Sequence, residues 1–162
     1  MGQDAQTIAQ HTGIRRPYSI RLLVVETDSP DSANPYAGEK MAPMLSMFTA
    51  VNEEVGLAIC RTLLGNAGGG HTAIIHSRNR RLVERFGEVM PASRILVNSP
   101  GSQGCCGMTT GLECSLTLGC GTFGGNSTTD NVSYRHLLNI KRIAHPLVTR
   151  QMEMEMAGEL AR

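Results

Sequence analysis

Apolar residues in this chain fall into short runs whose spacing alternates between strand-like and helix-like. Ile20-Arg21-Leu22-Leu23-Val24-Val25 and Met44-Leu45-Ser46-Met47-Phe48 are too short for helices and read as strands, the first of them buried. Between them, Thr27 to Gly38 is rich in Asp, Ser, Pro, Asn and Gly and reads as a surface loop. Asn52 is placed to cap a helix whose apolar face is Val55, Leu57, Ala58, Ile59, Leu63 and Leu64, ending near Gly65. His71 to His76 is a third strand. Ser77 or Asn79 then opens a helix to about Met90, with Leu82, Val83 and Phe86 inward, and Arg94 to Val97 is a fourth strand. Met1 to Gly13 reads as a short helix presenting Ala5, Ile8 and Ala9, too little apolar surface to stand alone. At the other end, Tyr134 to Leu138 predicts one helical turn. Asn139 to Ala144 alternates as an edge strand or an exposed arm does, and Pro146 opens a polar helix reaching Arg162. Strands alternating with helices predict an α/β fold: a mostly parallel sheet flanked by helices, with a C-terminal edge strand and helix.

Residues 98–127 break this rhythm. The stretch carries Gly101, Gly104, Gly107, Gly111, Gly119, Gly121, Gly124 and Gly125, together with Cys105, Cys106, Cys114 and Cys120. Glycine at that density forbids a long helix and lets backbone N–H groups come close to a ligand. The stretch is poor in charge and holds Met108, Leu112, Leu116, Leu118 and Phe123, which favours order over disorder. A long ordered loop of this kind is expected to line a site.

Size and composition narrow the function. The chain has 162 residues, enough for one domain, with 4% aromatic residues and no tryptophan, so its core must be aliphatic and methionine-rich. A net charge of +1 with no basic tail gives nucleic-acid binding no electrostatic support. No apolar run approaches the ~20 residues of a membrane span, and no signal peptide is recognisable. Five cysteines are an odd number and are not spaced like a secreted disulfide scaffold, so a reducing cytoplasm is the simplest setting.

Three stretches together resemble the CoA-acylating branch of the aldehyde dehydrogenase superfamily. They are Asn34-Pro35-Tyr36-Ala37-Gly38-Glu39-Lys40-Met41-Ala42-Pro43; Gly68-Gly69-Gly70-His71-Thr72-Ala73; and Arg94-Ile95-Leu96-Val97-Asn98-Ser99-Pro100, continuing through Leu116-Thr117-Leu118-Gly119-Cys120-Gly121-Thr122-Phe123-Gly124-Gly125-Asn126-Ser127 to Asn131-Val132 and His136-Leu137. Their order is similar to the C-terminal part of acetaldehyde/alcohol dehydrogenases and of acylating propionaldehyde and sulfoacetaldehyde dehydrogenases. The segment from Cys105 to Cys114 is most similar to the sulfoacetaldehyde members. The resemblance implies an aldehyde-dehydrogenase-like catalytic-domain fragment over 1–162. It implies NAD or NADP as cofactor, coenzyme A as acyl acceptor and a small aldehyde as substrate.

By the same resemblance, Glu39 occupies the place of a glutamate that holds the nicotinamide ribose; an ionised carboxylate only accepts, and can hold two hydroxyls at once. The loop from Asn98 to Cys106 occupies the place of the aldehyde-pocket wall, with Asn98, Ser99, Ser102, Gln103 and Cys105 as candidate pocket residues. Ser99, Ser102 and Gln103 suit a polar substrate tail such as a carboxylate or sulfonate, although serines near Pro100-Gly101 also make local turn bonds. Phe123 sits in the family's Phe-Gly-Gly turn beneath the site and reads as a packing anchor. The family's nucleophilic cysteine lies upstream of the Glu39 motif, where this chain has none, and the cofactor-binding half has no counterpart here. The expectation is a chain inactive alone that joins a complementing half or forms a homo-oligomer; the alternative is a non-catalytic remnant that associates with a full-length relative, with Ile140 to Ala144 as the joining strand.

Other chemistry fits less well. The glycine-loop cysteines have no Cys-x-x-Cys pair, and adjacent cysteines seldom serve one tetrahedral ion, so no metal site is expected. Cys60 on a helix face and Cys120 in the loop read as structural. The Gly68-Gly69-Gly70-His71 run lacks the lysine and serine of a phosphate loop and precedes a strand rather than a helix, leaving His71 to orient its neighbours.

Overall fold

A computed structural model of the chain describes residues 2–145, 147 and 150–160. The expectations at Met1, Pro146 and Arg162 lie outside the described residues. The helix α1 covers Ala5–His11, capped by Asp4, whose carboxylate accepts the Thr7 N–H at 2.9 Å. It buries Ala5 and Ala9 against Ile20 and Leu23, and the Gln6 side chain accepts the Ile20 N–H at 2.9 Å. This small contact is how so short a helix is retained, since an isolated helix of this length is unstable in water.

Strands β1 (Leu23–Glu26) and β2 (Met44–Met47) pair in parallel, Leu23 opposite Met44 and Glu26 opposite Met47. The sequence led us to expect a buried strand over Ile20–Val25. Instead β1 alternates between half-buried and exposed positions, and Val24, Leu45 and Met47 present an apolar face to solvent. No second layer of the described residues covers that face.

The rest of the α/β unit is built from α2 (Glu53–Asn66), β3 (Gly70–Ile75), α3 (Arg80–Val89) and β4 (Ala92–Val97). Asn52 and Asn79 cap the two helices through side-chain acceptors, to Val55 N–H at 2.9 Å and Leu82 N–H at 3.2 Å. Strands β3 and β4 are parallel, joined by the α3 crossover, with Gly70 opposite Ala92 and Ile75 opposite Val97. Leu57 from α2, Phe86 from α3 and Met90 pack with Ala73 of β3, and Cys60, Leu64, Ile75, Val89, Ala92 and Ile95 close around them. Burying Phe86 there contributes about 2–3 kcal/mol. The exposed Arg85–Glu54 pair also links α3 to α2, with Arg85 Nη2 2.7 Å from Glu54 Oε2, but exposed ion pairs add at most about 1 kcal/mol.

The parallel α/β class is confirmed, with one difference: β1–β2 and β3–β4 are two separate two-stranded sheets, not one. After β4 the chain makes one helical turn, α4 (Gly101–Cys105), then a long irregular loop, a 3-10 turn at Thr122–Gly124 and another at Tyr134–Leu137. The expected C-terminal edge strand over Ile140–Ala144 is not formed. Residues 138–145 are exposed coil, because among the described residues no neighbouring strand offers them a hydrogen-bonding ladder. The final helix, α5, covers Arg150–Leu160 and is polar and exposed along its described side chains.

Candidate functional site

The sequence around Glu39 folds into a turn held by its own polar side chains. Asn34 Nδ2 donates to Thr27 Oγ1 at 2.9 Å while its Oδ1 accepts the Tyr36 N–H at 3.0 Å. Lys40 Nζ donates to the carbonyls of Gly38 (2.7 Å) and Tyr36 (2.5 Å). Lys40 is thus drawn back onto the turn. Glu39 is left exposed, and among the described residues no side chain or backbone group bonds to its carboxylate. This turn forms one rim of a cleft of about 580 Å³, whose other walls are β2, the end of α2 (Leu63, Leu64), Gly68 in the connection that follows, and the start of β3 (His71, Thr72). His71 Nδ1 lies 2.8 Å from Thr72 Oγ1, which accepts Arg94 Nε–H at 3.2 Å. His71 is therefore engaged with its neighbour, as expected for a residue that orients the strand start.

Of the three glycines that lead into β3, Gly70 has a packing cause. Gly70 has φ +78°, and a Cβ there would overlap the Cys120 carbonyl; a Cβ on Gly69 would come 3.5 Å from the Phe123 carbonyl. The Phe123-Gly124-Gly125 turn thus sits close to the backbone at the start of β3, an approach that at Gly70 only glycine allows, whereas the Gly69 distance is ordinary contact.

The proposed wall residues lie elsewhere and do not line this cleft. Asn98 takes a left-handed conformation (φ 53°), and its amide spends both ends on the Ser77 backbone, Nδ2 to Ser77 O at 2.9 Å and Oδ1 from Ser77 N–H at 3.0 Å. Ser99 is buried with its hydroxyl 2.8 Å from that of Thr109, ten residues on, rather than in the local turn bonding that Pro100-Gly101 suggested. Ser102 and Gln103, by contrast, are exposed on α4 with side chains that make no bond to described residues. Cys105 is half-buried, its thiol donating weakly to Ser102 O at 3.4 Å. Phe123 is 71% exposed, so within the described residues it is not the packing anchor expected. Cys120 is half-buried against Gly124, and burial raises the thiol pKa of Cys60 in the α2 core. Among the described residues no three His, Cys, Asp or Glu side chains converge on a common point where an ion would sit.

Two residues that sequence reasoning passed over organise the glycine-rich stretch. Arg94, 3% exposed on β4, donates to Thr72 Oγ1, to Thr129 O at 3.1 Å and to Gly119 O at 2.7 Å. Asn131, 6% exposed, donates from Nδ2 to Cys105 O at 2.8 Å and Glu113 O at 2.7 Å. For Arg94 the available signal was a charge directly before the apolar run Ile95-Leu96-Val97. Beside them, a second cleft of about 400 Å³ holds the His136–Asp130 pair (3.1 Å). The other ring nitrogen of His136 lies 3.0 Å from the Ser133 nitrogen and 3.2 Å from the Ser133 carbonyl, so both ring nitrogens have partners close in sequence.

No protein-family model matches the chain. The aldehyde-alcohol dehydrogenase of Clostridium acetobutylicum is 41% identical over 149 residues, covering 89% of this chain and 17% of that enzyme. The sulfoacetaldehyde dehydrogenase of an Acholeplasma species is 33% identical over the whole chain and 34% of its own length. Among solved structures, an acetylating aldehyde dehydrogenase from Geobacillus thermoglucosidasius superposes with a TM-score of 0.86 at 37% identity, covering 91% of this chain and 33% of that one. The chain thus spans between about a sixth and a third of the relatives it matches. The chain is homologous to one part of the acetaldehyde/alcohol dehydrogenases and of the sulfoacetaldehyde dehydrogenases, over about nine-tenths or more of its own length.

Proposed function

We propose that this segment supplies the cofactor-ribose contact and one wall of the aldehyde pocket to an NAD(P)-dependent, CoA-acylating aldehyde dehydrogenase. The observation that carries the reading is Glu39: an uncommitted carboxylate presented on a preformed turn at the rim of a cleft of about 580 Å³. It is free to accept from two neighbouring hydroxyls, as a ribose presents them. Ser102 and Gln103, exposed and unbonded on α4, would donate to a polar tail on a small aldehyde of the acetaldehyde or sulfoacetaldehyde class. Asn98 and Ser99 keep the wall in shape rather than meeting substrate, because their polar atoms are already paired.

Bound at Glu39, NAD or NADP would accept hydride as the aldehyde is oxidised to a thioester on a cysteine from another part of the enzyme, and coenzyme A would take the acyl group. Leu116 (93% exposed), Phe123 and the Val24–Leu45–Met47 face are surfaces that such a remaining part, or a second copy, would cover.

The purified chain, given an aldehyde, CoA and NAD or NADP, should form no thioester and no reduced cofactor. Turnover by this chain that survives Cys60→Ser and disappears with Cys105→Ser, Cys106→Ser or Cys120→Ser would place the nucleophile in the glycine-rich loop and overturn this division of labour.

A further inference from the structure

We propose that Asn131 is the positioning residue for the aldehyde-pocket wall, acting through the carbonyl of Cys105; this rests on the reading above that α4 carries that wall. The helix α4 has five residues, and Pro100 at its start gives no side-chain cap. So short a helix does not hold its own position, and its last carbonyls have no partner within it. Asn131 supplies one. Its Nδ2 has two hydrogens, and the two acceptors are Cys105 O at 2.8 Å, at the end of α4, and Glu113 O at 2.7 Å, in the loop returning from it. Close by, the Ser115 N–H donates to Cys106 O at 3.1 Å.

The support for Asn131 is rigid. It faces Leu118 in an antiparallel bridge, flanked by Gly119 N–H to Asp130 O at 2.9 Å and Val132 N–H to Thr117 O at 2.8 Å. The same pair of segments is bound to β4 by the Arg94 donations to Gly119 O and Thr129 O. A path of buried and half-buried hydrogen bonds thus runs from the sheet through Arg94 and the 117–132 segment to Asn131, and from there to α4 with Ser102 and Gln103. Asparagine suits the place because one nitrogen carries both donors. Aspartate has the same shape but only accepts when ionised, and would oppose both carbonyls.

The test is thiol accessibility in the chain itself. Cys105 and Cys106 lie on the held segment, Cys106 buried; Cys60 lies in the separate α2–α3 core and serves as an internal control. Asn131→Asp should speed modification of Cys105 and Cys106 by a small thiol reagent at least tenfold over the unsubstituted chain and leave Cys60 within twofold. The variant-to-parent ratio should fall on acidification, as the introduced carboxyl protonates and regains one donation. Asn131→Ser, which keeps one donor, should give a smaller rise without the pH dependence, and carries the test if the aspartate variant does not fold. Unchanged rates at Cys105 and Cys106, or an equal rise at Cys60, would overturn the proposal. In a turnover-competent assembly Asn131→Ser should raise the aldehyde KM at least fivefold with the cofactor KM within twofold. Loosened thiols with an unchanged aldehyde KM would show a clamp that does not position the pocket. Because thiol accessibility needs no turnover, it separates failure of the clamp from failure of the acylating reading.

Discussion

Replacing Arg94 by methionine keeps most of the stem's volume and removes the guanidinium. In the native chain that group makes bonds to Thr72, Thr129 and Gly119, and among the described residues no carboxylate pairs with it. Hydrogen bonds from a charged donor contribute roughly 1.5–3 kcal/mol each, but a buried cation without an anion also carries a desolvation cost that methionine relieves. The consequences for the acceptors differ. Thr129 is exposed and its carbonyl turns to water, whereas Gly119 is buried and its carbonyl is left without this donor. An unsatisfied buried acceptor costs about 1–3 kcal/mol. The net expectation is a loss of about 2–3 kcal/mol, a large share of the stability of a small domain. Urea unfolding followed by circular dichroism should show it as a midpoint lower by about 1–2 M. Arg94→Lys, which reaches fewer acceptors, should fall between. A loss below about 0.5 kcal/mol for Arg94→Met would refute the reasoning, because it would mean that the 117–132 segment stays seated without the guanidinium.

Gly70→Ala should destabilise by about 1–3 kcal/mol, because φ is +78° and the added Cβ overlaps the Cys120 carbonyl; an unchanged melting temperature would contradict that packing. The α1 cap should be pH-sensitive. The Asp4 carboxyl is held below its ordinary value of 3.8, chiefly by the Thr7 N–H, so its stabilisation is complete above about pH 3.8 and lost as pH falls through the lowered folded value. Following the Thr7 amide by NMR across that range should show the transition. Asp4→Asn, which keeps an acceptor and cannot titrate, should abolish it, and a transition that persists in that variant would place the titrating group elsewhere.

The central unit was legible from residue pattern alone. Asn52 and Asn79 announce the two helix starts, and the Leu82, Val83, Phe86 spacing turns α3 toward the core. Strand ends shifted by a few residues, since Ile20 reads as strand by composition but is spent on docking α1. At Ile140–Ala144 the pattern allowed an edge strand or an exposed arm, and the structure has the arm: alternation states which side chains would share a face, not whether a partner strand is present. At the site, Glu39 was found through resemblance, and its turn is explained by local polar residues close in sequence. Arg94 stood out only as a charge beside an apolar run, and what it and Asn131 hold was not legible, because their acceptors lie 18 to 35 positions away. The same holds for Gly70, whose need for glycine comes from the Cys120 carbonyl far along the chain.

The most direct measurement places this chain in a complete enzyme. In a chimera, it would replace the matching third of the Geobacillus thermoglucosidasius acetylating aldehyde dehydrogenase, and reduced-cofactor formation would be followed with aldehyde and CoA. The account predicts CoA-dependent turnover that Glu39→Gln impairs through the cofactor KM or kcat by well over twofold, as expected for weakening a charge-assisted bond to ribose. A folded chimera without turnover, or one whose kinetics Glu39→Gln leaves within twofold, would contradict it.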